Sequence, residues 1–566
     1  MRVARTLALW AGLLLLVHAL PRGEAALLTR PEQDCLNPSI SASKINSFNF
    51  FPDDYRAIIA EVHEPEPGAT VTDAADFDIK YFSTYKVVTV KRFNKKYVLY
   101  QCGTPDPTKL PPGSAAGIAP GMPSFEIPLF SVAVTDTTVN GFLSELNLID
   151  RVARASPYSV GDCFQRLVDT FTQDGCKLVT PNPYDAKSTP EAAARFKEQN
   201  GTMYEDADGV FVGFDGNARK DILFPVTADP GPLNRAEWVK FVAAFFNKEI
   251  DANGLYDSIK ATYNAIRKLV DTKRAEADDA PKPKVAWVST NSSGVSFRLD
   301  PFKVALIQDA GGQPFDLAGV TAAGGQAGGN PLYGTRYAFL PRGSDGLYRL
   351  LSQADAIIDE SYYAFGVPSL GNVSRSLGYT GEKDAAGSVP AFKRGAIYRW
   401  DGELSPTGSS GWLEMAVARP DWVLMDLARA LTPAVLVDPL NITNHLANKG
   451  PAGTDFNYLL QVGNAADRGR PRVTAAKLCS MIPSCNDRSA FAICPSGYRD
   501  CATGKLRAAD PTQRCNSWSV CEPTELDSAE GAAPGARANG AARPASGSAA
   551  ALLAGAAAAA AAIALA

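Results

Sequence analysis

The sequence predicts an α/β protein, two α/β lobes joined by a long helix, with a small disulfide-rich C-terminal module behind them. Three patterns predict it. Short apolar runs alternate with helical stretches over 124–232. A long amphipathic helix follows Asn253-Gly254, in which Tyr256, Ile259, Tyr263, Ile266 and Val270 recur at helical spacing. A second alternating series opens at Val285, Ala286, Trp287 and Val288. Alternation of strand and helix is the mark of a mostly parallel sheet covered by helices.

Taken in order, 81–104 holds two β-rich runs around Asn94, Lys95 and Lys96, which predicts a hairpin inside an N-terminal extension over 26–123. Residues 105–123 are rich in Pro and Gly and read as a loop. Lobe one spans 124–232, with strands at 129–134, 209–214 and 222–226 and a helix at 142–149. A helical connector spans 233–280. Asn234 can cap its start, and Trp238, Val242, Phe245 and Phe246 share one face. Lobe two spans 281–440, with helices at 301–310, 347–353 and 420–431 and further strands at 354–358 and 395–400. The Gly-rich stretch 324–330 precedes no helix carrying Lys-Ser/Thr, so it reads as a loop and not a phosphate cradle. No internal repeat of fixed period is present.

The two ends place the chain in the secretory pathway. Arg2 and Arg5 precede an apolar run over 7–17, and Gly23-Glu24-Ala25 is a small-x-small cleavage site, so 1–25 reads as a signal peptide. Residues 549–566 are all Ala, Leu, Ile or Gly and follow a small-residue linker over 526–548. That combination predicts a GPI-attachment signal, with a single transmembrane span as the alternative. Either one tethers the body to the outer face of the plasma membrane or to an endosomal membrane. Of ten cysteines, Cys479, Cys485, Cys494, Cys501, Cys515 and Cys521 crowd into a module over 441–525. Such density predicts disulfides in a secreted protein, and Cys35, Cys102, Cys163 and Cys176 are the candidates in the body. Asn200, Asn291, Asn372 and Asn441 each open a glycosylation sequon.

Composition removes several function classes. The 566 residues are 46% hydrophobic and 20% charged, enough for several packed cores. A net charge of -4 argues against a nucleic-acid partner, which needs a basic surface. The only histidines are His18, His63 and His445, which disfavours a His-rich zinc site and a Ser-His-Asp hydrolase. No paired carboxylate, nucleophile elbow or metal-ligand spacing stands out. The reading is therefore a non-enzyme with no catalytic residue, no metal site and no catalytic cofactor.

The runs FEIPLFSVAVTDTTVNGFLSELNLIDRV (125–152), GVFVGF (209–214), EWVKFVAAFFNKE (237–249), KVAWVS (284–289), ADAIIDE (354–360) and WVLMDLARALTP (422–433) carry a resemblance over about 124–435. This part of the chain resembles the periplasmic binding proteins of the cobalamin and ferric-siderophore class. YKVVTVKRFNKKYVLYQCGTP (85–105), LNRAEWVKFVAAFFNKE (233–249) and the region of Trp412, Leu413 and Glu414 are similar to the algal cobalamin acquisition proteins. The resemblance implies a stiff helical spine, a ligand cleft between the lobes and cobalamin (vitamin B12) as bound ligand. It also implies uptake through a transmembrane transporter or endocytic receptor that the sequence does not identify.

Cobalamin offers a flat corrin and many neutral amides, so a receptor wants aromatic faces and neutral hydrogen-bonding groups. In open α/β sheets, ligands meet the loops at the carboxyl ends of strands. That rule nominates Thr135, Asp136, Thr137 and Thr138 after the first strand of lobe one, then Tyr158, Phe214 and Asp215. In lobe two it nominates Phe297 and Arg298, Glu360 and Tyr362, and Trp400. Trp412 lies among Gly, Ser and Thr and is the foremost ligand contact expected. Glu414 either orients it, accepts an amide proton or serves as a helix N-terminal carboxylate. Trp238 sits on a core-like helical face but could border the cleft. The alternatives to cobalamin are a ferric siderophore or a haem-like iron chelate, with Tyr362 and Tyr363 as phenolate donors. A surface adhesion glycoprotein using the cysteine module is a third reading.

Overall fold

In the computed structural model the described residues are 71–173 except 83, 179–277 except 215, 280–361, 369–432 and 458–463, with Cys35 and the dipeptides 472–473, 498–499 and 506–507. The signal peptide, Asp215, Tyr362, Tyr363, Cys176, Asn441, the six clustered cysteines, the linker and the apolar tail lie outside them. The dipeptides 498–499 and 506–507 pair with each other.

The first sheet holds β1 (Phe77–Tyr81), β2 (Tyr85–Val90), β3 (Lys95–Gln101) and β4 (Ser124–Ile127) in that spatial order. β2 and β3 form the expected hairpin, and Asn94 takes its turn at φ 48°. Asn tolerates this left-handed conformation better than most residues. The second sheet holds β5 (Val132–Val134), β6 (Val152–Arg154), β7 (Gly209–Val212) and β8 (Asp221–Leu223) in the order β6-β5-β7-β8, all parallel. Its helices are α1 (Asn140–Glu145), α2 (Asp162–Gln173) and α3 (Pro190–Asp206). The helix expected over 142–149 stops early because Asn147 adopts φ 55°.

The connector breaks into α4 (Pro232–Ala236), α5 (Trp238–Ala244) and α6 (Glu249–Ala275). Asn247, at φ 54°, separates α5 from α6, which therefore starts before Asn253 and Gly254, where the helix start was expected, and runs through them. Its side chain accepts from buried Lys86 at 2.7 Å and donates to Gln101 at 2.9 Å. Lys86 also pairs with Glu249 at 2.5 Å. The break is thus fixed by partners on β2 and β3, which helical periodicity does not show. With 27 residues, α6 is about 40 Å long.

The third sheet has eight strands. They are β9 (Lys284–Thr290), β10 (Gly294–Arg298), β11 (Gln313–Pro314), β12 (Gln326–Gly328), β13 (Tyr337–Pro341), β14 (Ala356–Asp359), β15 (Ile397–Arg399) and, beyond the short β16 (Glu403–Leu404), β17 (Leu460–Gln461). The main order is β12-β13-β10-β9-β14-β15-β17. Only β11, β9, β14 and β15 run parallel, so this sheet is mixed where a mostly parallel one was expected. The Gly-rich stretch read as a loop contains β12, which pairs with β13 in the register Ala327↔Ala338. A Cβ on Gly328 would lie 2.7 Å from the Tyr337 ring, which would have to shift to admit it. The helices are α7 (Pro301–Asp309), α8 (Leu317–Ala322), α9 (Asp345–Leu351), α10 (Leu370–Ser376), α11 (Glu382–Ser388), α12 (Pro390–Arg394), α13 (Trp412–Met415) and α14 (Pro420–Leu431).

Packing explains how these sheets are joined. One core unites Phe77 and Tyr97 of the first sheet, Phe211 of the second, Trp238 and Phe241 of α5, and Phe245 at its end. The hairpin extension is therefore part of the same packed body as 124–232. The long helix serves two cores: Tyr256 and Ile259 belong to this one, while Tyr263, Ile266 and Val270 pack with Trp287, Leu306 and Leu424. A third core, with Val288, Phe297 and Leu340, fills the opposite face of the mixed sheet.

Buried carboxylates fasten the entering chain. Glu237 is fully buried and accepts the backbone N–H groups of Thr72, Asp73 and Ala74 at 2.8, 2.6 and 2.7 Å. Asp229 accepts from the Ala75 and Asp76 amides and from Trp238 Nε1. A disulfide joins Cys35 to Cys102, and Cys163 is also disulfide-bonded. Asn291 and Asn372 are exposed, and Asn200 is half-buried on α3. Among the described residues no helix is long and apolar enough to cross a membrane, and no group of three or more His, Cys, Asp or Glu is placed to hold a metal ion.

Candidate functional site

The loops that leave β5, β6 and β7 face the C-terminal half of the molecule. After β5, Thr135 is exposed, and its hydroxyl donates to the Phe211 carbonyl at 2.9 Å. Asp136 caps the helical turn Thr137–Val139, accepting from the Thr138 amide at 2.9 Å and its hydroxyl at 2.6 Å. This turn packs on α13. The Asp136 carboxylate lies so close to Gly213 that a Cβ there would collide with it. After β6, the exposed Tyr158 donates to Asn182 Oδ1 at 3.1 Å and meets Tyr184 edge-on. After β7, Phe214 meets Tyr333 of the other half with ring centroids 4.6 Å apart.

The two halves touch at both ends of this seam. At one end, beside the Phe214–Tyr333 pair, Arg92 donates to the Pro331 carbonyl at 3.0 Å. Gly334, at φ 65°, abuts the chain at Thr227 and Ala228, leaving no room for a Cβ. At the other end, Glu414 of α13 accepts from the amides of Val160 and Gly161 at 2.6 and 2.9 Å. Arg419 pairs with Glu145 of α1 at 3.2 Å.

A cluster of charged groups lies on the mixed sheet. Glu360, which follows β14, accepts from Trp287 Nε1 at 2.9 Å. It pairs with Lys303 at 2.9 Å and Arg298 at 3.2 Å. Both cations also reach Asp300, at 3.0 and 3.1 Å. Burial alone would raise the Asp300 carboxyl, but Lys303 and Arg298 outweigh it and hold the group below the usual carboxylate range. Arg235, from α4, lies near enough to feel Asp300, although burial brings its guanidinium down to about 10. It also stacks over Phe302 at 4.0 Å. The four side chains of the cluster carry two positive and two negative charges, so its net charge is zero. Arg298 also lines a cavity of about 470 Å³ with Asn291, Ser296, Gln326, Tyr337 and Phe339. It is a depression open to solvent, and its walls combine two rings with mostly polar groups.

A second buried network fixes the neighbouring strand ends. Arg399 pairs with Asp359 at 2.7 Å and Asp401 at 2.8 Å, and donates to the Ser361 carbonyl at 2.8 Å.

Several residues expected to face a ligand do not sit as the sequence suggested. Trp412 is not in a loop: it opens α13, is 7% exposed and packs on Trp287 at 5.6 Å. Its Ser and Gly neighbours make the approach to that helical turn, where Ser410 Oγ accepts the Trp412 amide at 3.3 Å. Glu414 does not orient Trp412, because its carboxylate is spent on Val160 and Gly161. Phe297 does not follow a strand but lies within β10, where it packs against Phe315 in the third core, on the sheet face opposite Arg298. Trp238 is wholly buried in the first core and does not border the seam. Trp400 is half-buried against the second core, and among the described residues its Nε1 has no hydrogen-bond partner. Arg298 and Glu360 come together as direct partners, while Thr137, Thr138, Asp136 and Phe214 reach the seam. Trp287, Asp300, Lys303 and Tyr337 join the cluster or cavity without having been singled out. The one available signal was the alternation of β10 and β13, which puts Ser296, Arg298, Tyr337 and Phe339 on one face.

No protein-family model matches the chain, and no curated protein matches it. Among solved structures, similar chains include Ni(II)-bound CeuE of Helicobacter pylori, at 11% identity over 55% of this chain and 86% of that one, with a TM-score of 0.32. A periplasmic heme-binding protein of Pseudomonas aeruginosa is 12% identical over 54% of this chain and 94% of that one, with a TM-score of 0.34. The petrobactin-binding protein of Bacillus subtilis is 15% identical over 54% of this chain and 92% of that one, also at 0.34.

Proposed function

We propose that the chain is a non-catalytic solute-binding protein of the cell surface, which captures cobalamin between two α/β lobes braced by α6. On this reading a C-terminal anchor tethers it to the membrane, and a transmembrane transporter or endocytic receptor takes the ligand onward. One observation carries the reading. The loops after β5, β6 and β7 all turn toward the C-terminal half, so the carboxyl ends of a parallel sheet, where α/β proteins bind ligands, border the seam.

The charge of the adjoining cluster supports a neutral ligand. Arg298 and Lys303 are each neutralised by Asp300 and Glu360. An anionic siderophore or haem propionate would have to compete with those carboxylates, and would strip them of their cationic partners. The amides of a corrin need donors and acceptors without net charge, and Tyr337, Phe339 and Phe214 offer ring faces beside them.

Calorimetric titration of the purified protein with cyanocobalamin, a ferric hydroxamate and haemin tests this. The expected result is one-to-one saturable binding of cyanocobalamin alone. Glu360→Gln should weaken that binding about tenfold, the loss of roughly one charge-assisted hydrogen bond. Saturable binding of the hydroxamate or haemin, with none of cyanocobalamin, would replace the reading with an iron-chelate receptor.

A further inference from the structure

We infer that Tyr184 and Tyr158 form a second aromatic contact for the ligand, at the opposite end of the lobe-one rim from Phe214, so that the corrin rests on rings at both ends with a polar loop between them. The inference rests on the proposed reading of cobalamin capture and names a contact, Tyr184, that the strand-end rule does not nominate.

Exposed apolar bulk is not scattered over this molecule. Among the described residues the large apolar side chains left exposed are Leu110, Tyr158, Tyr184, Leu332, Tyr333 and Leu413. All but Leu110 lie at the seam or on the loops that reach it. Leu332 and Tyr333 follow Pro331, whose carbonyl accepts from Arg92, and Tyr333 meets Phe214. Leu413 adjoins Glu414 on α13, and Glu414 accepts the Val160 and Gly161 amides just beyond Tyr158. Tyr184 meets the Tyr158 ring. Single exposed apolar residues are ordinary on a protein surface, whereas a grouped set marks a binding face.

The strand order sets the spacing. β6, β5 and β7 are consecutive neighbours in a parallel sheet, and the loops at their carboxyl ends carry Tyr158, Thr135 to Thr138, and Phe214. Neighbouring strands stand about 4.8 Å apart, so the two aromatic ends are rooted roughly 10 Å apart, the scale of a macrocycle and not of a single small ring. At one end Phe93, Phe214 and Tyr333 form a row, with successive centroids 6.1 and 4.6 Å apart. At the other, Tyr158 and Tyr184 meet edge-on at 6.2 Å.

The tyrosine pair is held in place. Asn182 Oδ1 accepts both the Tyr158 hydroxyl at 3.1 Å and the Tyr184 amide at 3.0 Å, so one side chain fixes both residues. The buried Ser156 Oγ accepts the Tyr158 amide at 3.3 Å. Fixing the rings in advance lowers the ordering cost of binding. Tyr184 is nevertheless 72% exposed, and among the described residues no hydrogen bond takes its hydroxyl. It offers ring surface and a neutral donor, which suit a corrin and its side-chain amides.

Titration of the purified full chain with cyanocobalamin, with melting measured on the same samples, tests the pair. Tyr184→Ala should bind about tenfold more weakly with unchanged melting, the effect of one aromatic contact with its hydrogen bond. Tyr184→Phe keeps the ring and should recover most of the loss. Leu110→Ala, away from the seam, should bind as the natural protein does. Dicyanocobinamide, a corrinoid without the nucleotide tail, should show the same loss with Tyr184→Ala, because the contact is with the corrin. Equal affinity of Tyr184→Ala and the natural protein for cyanocobalamin overturns the inference and leaves the proposed function standing. Early melting of Tyr184→Ala, an equal loss in Leu110→Ala, or a loss that vanishes with the cobinamide overturns it as well. A natural protein that does not bind cyanocobalamin removes the proposed function and this inference together.

Discussion

Replacing Glu237 by alanine should lower folding stability by about 3–5 kcal/mol, the usual result of removing one partner from a buried charged network. Its carboxylate satisfies three consecutive amides, those of Thr72, Asp73 and Ala74, and takes the ammonium of Lys240 at 2.7 Å. Alanine leaves those donors unpaired, at about 1–3 kcal/mol for each one that water cannot reach. The segment they belong to also carries Asp73, which hydrogen-bonds Tyr256 and pairs with Lys260 of α6 at 2.7 Å. Loss of Glu237 should therefore loosen the hold of 72–76 on the long helix as well as the start of α5. Glu237→Gln, which keeps one acceptor, should fall between. Urea denaturation of the three proteins measures the series, and a loss below about 1 kcal/mol for alanine would show that the segment does not depend on this anchor.

Trp412→Ala should cost about 3–5 kcal/mol as well, the usual price of a large core ring. The side chain packs with Trp287, Met425 and Ala428 in the second core. Its removal uncovers Trp287, whose indole N–H donates to Glu360. The variant should thus melt earlier and also bind ligand more weakly, because the Glu360 cluster loses its support. Paired melting and titration experiments separate the effects. Unchanged melting with weakened binding would mean that the ring faces the ligand and not the core.

What the sequence disclosed was local, and what it concealed was long-range. Pro420 and the following apolar spacing define α14, whose observed bounds match the reading, because both start and stop signals are written in neighbouring residues. The faces of α6 and the hairpin of β2 and β3 were legible for the same reason. The break at Asn247 was not, since its cause is Lys86 and Gln101 in another sheet. Glu414 could be placed near a helix start, but not against amides at 160 and 161. Trp412 misled because Ser409, Ser410 and Gly411 look like an open loop, whereas here they deliver the ring into the core. Phe297 misled through topology: β10 returns antiparallel to β9, so the residues after the first strand turn back into the sheet. Where the strands are parallel, the residues that follow them, Asp136 and Phe214, do lie at the strand ends beside the other half.

The most direct test of cobalamin capture is native mass spectrometry of the purified full chain, after incubation with equimolar cyanocobalamin and a ferric hydroxamate. The expected result is a single one-to-one adduct whose mass and absorbance are those of the corrinoid. A protein that stays ligand-free, or carries only the iron chelate, would contradict the proposed function.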